Sequence, residues 1–275
     1  MSFPAAPPGG YRALAFEVVG RIGVITMNRP QERNCISDDM KADFLHLLRA
    51  LSYERELGAI VLTGAGGCFS SGGDLKFLKN SERSADWDRR RLYQLHDWVQ
   101  LLMNLEMPVI AAVDGAAIGA GFGLALAADF VLCSERAHFR AAFGRIGLVP
   151  DAGILYTLPR IVGLQAAKEI IFTGRTLPAQ EAKDLRIALA IHRADRLMDA
   201  AMDLARRLAA GPTAAIGATK RILNQSFQLD ARALTEMEAS AQAIFFHSEF
   251  HKTAVADFLA KKPLAYDWDR FDKKD

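Results

Sequence analysis

Val109-Ile-Ala-Ala-Val-Asp-Gly-Ala-Ala-Ile-Gly-Ala-Gly-Phe-Gly-Leu-Ala-Leu-Ala-Ala-Asp129 is the stretch whose reading decides the fold. Five apolar residues after Pro108 read as a strand, Asp114-Gly115 turns the chain, and small residues from Gly119 lead into an Ala/Leu-rich segment that reads as a buried helix. Glycines at such a junction let the backbone approach a bound group. The first helical turn adds N–H groups without internal partners and the positive end of the dipole. An anion, or an oxygen that becomes one, suits this place, although the same glycines could serve only tight helix packing. Gly119, Gly121 and Gly123 are spaced GxGxG, so a GxGxxG dinucleotide fingerprint is not present here.

Toward the N-terminus the same grammar recurs. Ala13 to Val19 and Ile22 to Met27 read as a hairpin about Gly20-Arg21, Asn28-Arg29-Pro30 closes it, and Ser37-Asp38-Asp39 caps a helix. Met40, Phe44, Leu47, Leu48 and Leu51 share one face of that helix. Gly58 to Thr63 is a short buried strand running into Gly64-Ala-Gly-Gly-Cys-Phe-Ser-Ser-Gly-Gly-Asp74, a second strand-to-glycine turn. No Lys-Ser or Lys-Thr follows, which excludes a P-loop, and Ser70 and Ser71 lack the flanking of a nucleophile elbow. Asp74 is expected to cap the next helix.

Toward the C-terminus, Trp87 to Glu106 is expected as an amphipathic helix, Phe130 to Ser134 as a strand and His138-Phe139-Arg140 as a further one. Asp151 lies between Pro150 and a small-residue pair in an apolar loop. It reads either as an N-cap for a helix from Ala152 onward or as a carboxylate with a raised pKa, and the two are compatible. Helical spacing then covers Leu164 to Phe172, Pro178 to Asp184, Ala194 to Ala209, Pro212 to Phe227, Arg232 to Phe246 and Glu249 to Leu259.

A chain of 275 residues, 51% hydrophobic and 24% charged, supports one α/β body with a helical tail. A net charge of +2 makes no case for nucleic acid, and Arg89-Arg90-Arg91 after Asp86 and Asp88 reads as a solvated helix face. Cys35, Cys68 and Cys133 suggest neither a disulfide framework nor zinc, and none of the six lone histidines has metal spacing. No apolar run is long enough to span a bilayer and residues 1–10 look loose, so a cytoplasmic location is expected.

Taken together, Asn28-Arg-Pro with Asn34, Phe69-Ser-Ser-Gly-Gly-Asp-Leu, Pro108-Val-Ile-Ala-Ala-Val-Asp-Gly, Gly119-Ala-Gly and Gly147-Leu-Val-Pro-Asp-Ala-Gly resemble the crotonase (enoyl-CoA hydratase/isomerase) superfamily from about Ala13 to Pro263. That resemblance implies an α/β spiral of ββα units over 11–195 with a helical region over 196–275 that forms a homotrimer or a dimer of trimers. It implies that the N–H groups of Gly73 and Ala120 hold a thioester oxygen and that Ser71, Asp74, Leu75 and Lys76 line the coenzyme A channel. Lys261 or Lys262 resembles a basic tail reaching a CoA phosphate. No cofactor beyond the CoA of the substrate and no metal is implied.

Two departures bear on the reaction. Hydratases of the family carry a pair of glutamates, and the matching positions here are Gly123 and Phe143. Asp151 matches the catalytic aspartate of the family's isomerases and the nucleophile of its chlorobenzoyl-CoA dehalogenases. The resemblance thus points to an acyl-CoA isomerase. The alternatives are a hydratase-like lyase or hydrolase using Asp151 with water, and a non-catalytic acyl-CoA-binding or RNA-associated member. Trp98, Met103, Phe122, Phe143 and Tyr156 are candidates either for an acyl pocket or for plain core.

Overall fold

In the computed structural model, residues 6, 7, 9–79 and 82–271 are described, the side chains of 78 and 270 excepted. The expected loose segment falls, for residues 1–5 and 8, outside the described residues. Strands β1 (Leu14–Val19) and β2 (Ile22–Met27) form the expected antiparallel hairpin, Val19 facing Ile22 across Gly20 at φ +61°. Helix α1 (Asp38–Leu51) starts where Ser37 Oγ accepts the Met40 N–H at 3.2 Å, and it buries the five apolar residues of its stripe. Then come β3 (Ala59–Gly64), α2 (Leu75–Lys79), α3 (Ala85–Met103), β4 (Val109–Val113), β5 (Ala116–Ile118), α4 (Ala120–Leu126), β6 (Phe130–Ser134) and β7 (His138–Arg140). Helices α5 (Ile154–Val162) and α6 (Leu164–Thr173), strand β8 (Leu177–Pro178), α7 (Ala179–Asp184) and β9 (Ala190–His192) complete the body.

The chain spirals because successive strands are dealt to two sheets. Strands β1, β2, β3, β4, β6 and β9 lie in that order in one six-stranded sheet, parallel from β2 onward, while β5, β7 and β8 form a second, three-stranded one. Strand periodicity divides the packing of the large sheet. On β4, Val109, Ala111 and Val113 join the core of α1 and α3, while Ile110 and Ala112 join Leu197, Ala201 and Ala205 of α8 (Leu197–Ala209).

Helices α9 (Thr213–Leu223), α10 (Ala231–Phe245), α11 (Glu249–Leu259) and the short α12 (Trp268–Phe271) follow. Among the described residues, no helix is long and apolar enough to cross a membrane.

Several boundaries differ from the sequence reading. Strands β5, β8 and β9 were not expected, because two or three residues cannot display a period and their pairing is wholly long-range. Pro178 closes β8 instead of opening α7, and residues 194–196 form a 3₁₀ turn ahead of α8. Helix α3 begins at Ala85, where Ser84 caps it through the Trp87 N–H at 3.2 Å, and ends at Met103; α9 stops at Leu223.

A buried ion pair docks α9 on the body. Lys220 Nζ donates to Asp129 Oδ2 at 2.6 Å, and the same oxygen accepts the Val109 N–H at 2.8 Å, fixing α9 against the starts of β4 and β6. Removing one partner strands the other charge away from water. Lys220→Met should lower the unfolding free energy by about 3–5 kcal/mol. Adding Asp129→Asn should recover much of it, as read by urea denaturation; a single variant as stable as the parent would show the pair to be idle.

Candidate active site

The two glycine turns are pressed together by hydrogen bonds that leave little freedom. Residues 69–73 run beside β5: the Ser70 N–H donates to Ala116 O at 2.8 Å and the Ile118 N–H to Ser70 O at 2.9 Å. Ser70 Oγ donates to Asn34 O at 2.8 Å and accepts the Gly72 N–H at 3.2 Å. On the other side the Ile36 N–H donates to Gly72 O at 2.7 Å and the Ser71 N–H to Arg33 O at 2.9 Å. Gly72 has φ +89°, and a Cβ there would sit 2.5 Å from Ile118 O, so only glycine fits. A Cβ on Gly121 would sit 2.7 Å from Ser70 Cβ.

This contact brings Gly73 and Ala120 to one place. The Cβ position of Gly72 is 3.4 Å from Ala120 N, and that of Gly73 has nothing within 4 Å. Gly119 caps α4 at φ +54° and ψ −123°, its own N–H donating to Arg140 O at 2.8 Å. Ala120 is the first residue of α4, so its N–H has no partner inside the helix.

Both residues border a cavity of about 420 Å³. Of the residues the sequence assigned, Ser71, Gly73, Asp74, Leu75, Ala120 and Asp151 line it. Lys76, exposed on α2, does not, and neither Lys261 nor Lys262 does; Lys262 Nζ lies 3.9 Å from Asp257. Asp74 caps α2 as expected, Oδ1 accepting the N–H groups of Lys76 at 3.0 Å and Phe77 at 3.1 Å.

Asp151 is a different kind of carboxylate. The N-cap reading is corrected, because α5 starts at Ile154, Gly153 occupies the cap position at φ +77°, and no side chain bonds to that end. The backbone does the capping work, Asp151 O accepting the Ile154 N–H at 3.2 Å. Asp151 Oδ1 is instead buried with no hydrogen-bond partner. Burial pushes its carboxyl above the ordinary value of 3.8, against the weaker opposing pull of His96, Arg91 and Lys41. A desolvated carboxylate with an unpartnered oxygen, lining the same cavity as Gly73 and Ala120, is equipped to take up a proton.

The two positions where a second acid or base was sought hold none. A Cβ on Gly123 would already lie 2.6 Å from Ala152 O, so this backbone has no room for a glutamate, and Phe143 lines the cavity with an apolar ring. Trp98, Met103 and Phe122 belong to the core, and the Tyr156 hydroxyl donates to Asn224 O at 2.6 Å; of the five acyl-pocket candidates, Phe143 alone borders the cavity. Among the described residues, no three His, Cys, Asp or Glu side chains cluster as a metal site would require, and the three cysteines are buried and unpaired.

The sequence reading missed the cations. Lys41, Arg91 and Arg145 line the cavity. Arg90 pairs with Asp86 at 2.8 Å on the solvated face, but Arg91 turns inward and its side chain is only 18% exposed. Its spacing from Leu95 and Trp98 on α3, four and seven residues, is the signal that places it on the buried face.

The sequence profile described as Enoyl-CoA hydratase/isomerase matches residues 17–269. The chain is 34% identical over 227 residues to the 4-chlorobenzoyl coenzyme A dehalogenase-1 of an Arthrobacter species, covering 82% of each chain. It is 32% identical to the 1,2-epoxyphenylacetyl-CoA isomerase of Escherichia coli (strain K12), covering 86% of this chain and 92% of that one. Its fold is similar to the crystal structure of an enoyl-CoA hydratase/isomerase from Cupriavidus metallidurans CH34, with a TM-score of 0.89, 37% identity, and 94% and 97% of the two chains covered.

Asp151 should make the protein less stable as pH rises. A carboxyl with a raised folded pKa favours the folded state when protonated. That contribution is complete below the ordinary value of 3.8 and is lost as pH climbs through the raised one. Asp151→Asn, neutral throughout, should therefore melt a few degrees higher than the parent at pH 7, with the gap closing toward pH 3. Calorimetry across that range checks it, and an Asn variant that melts lower at pH 7 would contradict the desolvation account.

Proposed function

This chain belongs to the enoyl-CoA hydratase/isomerase family, and from that premise we propose that it is an acyl-CoA isomerase. The N–H groups of Gly73 and Ala120 bind the thioester oxygen. Asp151 removes a carbon-bound proton, the electron pair passes to that oxygen as an enolate, and Asp151 returns the proton to another carbon. One carboxylate suffices for such a shuttle, and atoms balance without water. Each preorganised donor contributes about 3 kcal/mol to stabilising the enolate. The observation that carries this reading is the buried, unpartnered Oδ1 of Asp151 in the same cavity as both donors, with Gly123 and Phe143 unable to activate water.

Ser71, Asp74 and Leu75 would border the CoA arm, with Lys76 and Lys261 or Lys262 serving its phosphates. No cofactor beyond the CoA of the substrate is required. We propose a cytoplasmic enzyme of small acyl-CoA molecules, without nucleic-acid or membrane partners, and the division of the chain into a core over 11–195 and a helical region over 196–275. A second reading, Asp151 as nucleophile or as base toward water, is favoured by the 34% identity to the dehalogenase.

The test is deuterium incorporation from deuterated water into enoyl-, dienoyl- and aryl-CoA esters, followed by mass spectrometry. Asp151→Asn should bind the esters yet lose exchange about a hundredfold or more. Undiminished exchange in that variant would overturn the shuttle, as would hydration of crotonyl-CoA by the parent at about 10 per second. Chloride release from 4-chlorobenzoyl-CoA without proton exchange would select the second reading.

The helical region supports assembly as a homotrimer or a dimer of trimers, because Ile244, Phe246, Phe258 and Leu259 on and between α10 and α11 are exposed. Light scattering at micromolar concentration should give three or six times the 30.1 kDa chain mass; a monomer alone would refute it.

A further inference from the structure

We propose that the acyl group taken by this cavity carries a carboxylate at its end remote from the thioester, and that Arg91, assisted by Lys41, recognises it. The inference rests on the acyl-CoA reading above and adds the substrate class. It begins with an unsatisfied cation. Arg91 lines the cavity from α3, its Nε is buried, and among the described residues its guanidinium has no hydrogen-bond acceptor. Its nearest carboxylate is Asp88 Oδ1 at 3.8 Å, and that oxygen is engaged by Arg83 Nε at 2.9 Å. The guanidinium otherwise rests 5.0 Å from the Phe77 ring centroid and 6.0 Å from that of Trp87.

A guanidinium offers five donors in a planar fork that matches a carboxylate, and a buried charge without such a partner is costly. Lys41 lines the same space with its side chain only 12% exposed, and one of its three donors is used by Asp38 at 2.6 Å. Ile36, Leu92, Leu95, Ile118 and Phe143 supply apolar wall in the same cavity, enough for a short carbon chain. A plain hydrocarbon tail would bury both cations against methylene groups. A tail ending in a carboxylate gives the fork its acceptor and keeps the chain on the apolar wall.

The phosphates of CoA are the other anions of such a substrate. Arg91 and Lys41 line the same cavity as Asp151, the group assigned to the reacting carbons, and the length of a pantetheine arm separates the CoA phosphates from the thioester. An anionic tail would also offset the pull of Arg91 on Asp151, favouring the proton-accepting base when this substrate is bound.

Calorimetric binding of glutaryl-CoA against pentanoyl-CoA, and of adipoyl-CoA against hexanoyl-CoA, compares a carboxylate with a methyl at equal carbon number. The parent should prefer the carboxylate ester about tenfold or more at low salt for at least one pair. Arg91→Gln should bring that ratio close to one, and Arg91→Lys should fall between, having the charge without the fork. A ratio near one in the parent for both pairs, or a preference that survives Arg91→Gln, overturns the proposal alone. Loss of free CoA affinity in Arg91→Gln equal to the loss for the esters would make Arg91 a phosphate contact and overturn it too. Failure of every ester and of free CoA to bind the folded parent would sink the acyl-CoA reading and this inference together.

Discussion

The close approach of two backbones, Gly72 against Ile118 and Gly121 against Ser70, is the constraint on which the rest of the site depends. Each contact is shorter than a side chain allows, a Cβ falling 2.5 Å from Ile118 O in one case and 2.7 Å from Ser70 Cβ in the other. Hydrogen bonds donated by the Ser70 and Ile118 N–H groups hold the two segments at that separation. The strands leading toward them, β3 and β4, are parallel neighbours in the large sheet, and the second turn follows β5 of the small sheet. The pairing of Ser70 with β5 is therefore what brings Gly73 and Ala120 to one cavity.

Charge is distributed so that stability and chemistry occupy different places. Lys220 and Asp129 are buried together with the Val109 N–H as a further bond; burial pushes each toward its neutral form, and their contact opposes that. Asp151 is buried with an oxygen unsatisfied, and Arg91 with a buried Nε that nothing accepts. Folding tolerates such groups only where surrounding structure over-determines them, as the packed β4–α4 and α3 walls do here. Unsatisfied groups clustered in one cavity mark where a ligand completes the hydrogen bonding.

The relatives differ in the reactions their names state, although each covers more than four-fifths of this chain. A site that pushes electrons onto one thioester oxygen would allow such a spread, because the remaining steps then fall to a few side chains. In this chain Gly123 and Phe143 offer no acid or base, and Lys41 of α1 and Arg91 of α3 line the cavity. Gly123 is packed tightly on Ala152, so a glutamate at that position would require the Ala152 backbone to move.

Sequence alone determined the local pieces: the hairpin about Gly20-Arg21, the capped α1 stripe, the two strand-to-glycine turns and Asp151 in an apolar loop each follow from short-range periodicity, turn chemistry and desolvation. Family resemblance added which amides and carboxylate to pair. Tertiary structure decided what depends on partners distant in the chain. Strands β5, β8 and β9 exist only through pairing, too short to show a period of their own. Whether Asp151 was cap or free acid turned on where α5 began, and Gly153 at φ +77° settled it. Arg91, in a run read as a solvated face, became a cavity wall because α3 is rotated to bury Leu95 and Trp98, and a side chain on their side of the helix goes inward whatever its charge. Local patterns fix what a segment can be, and only the packing of segments against one another fixes which of its groups lose water and which find a partner.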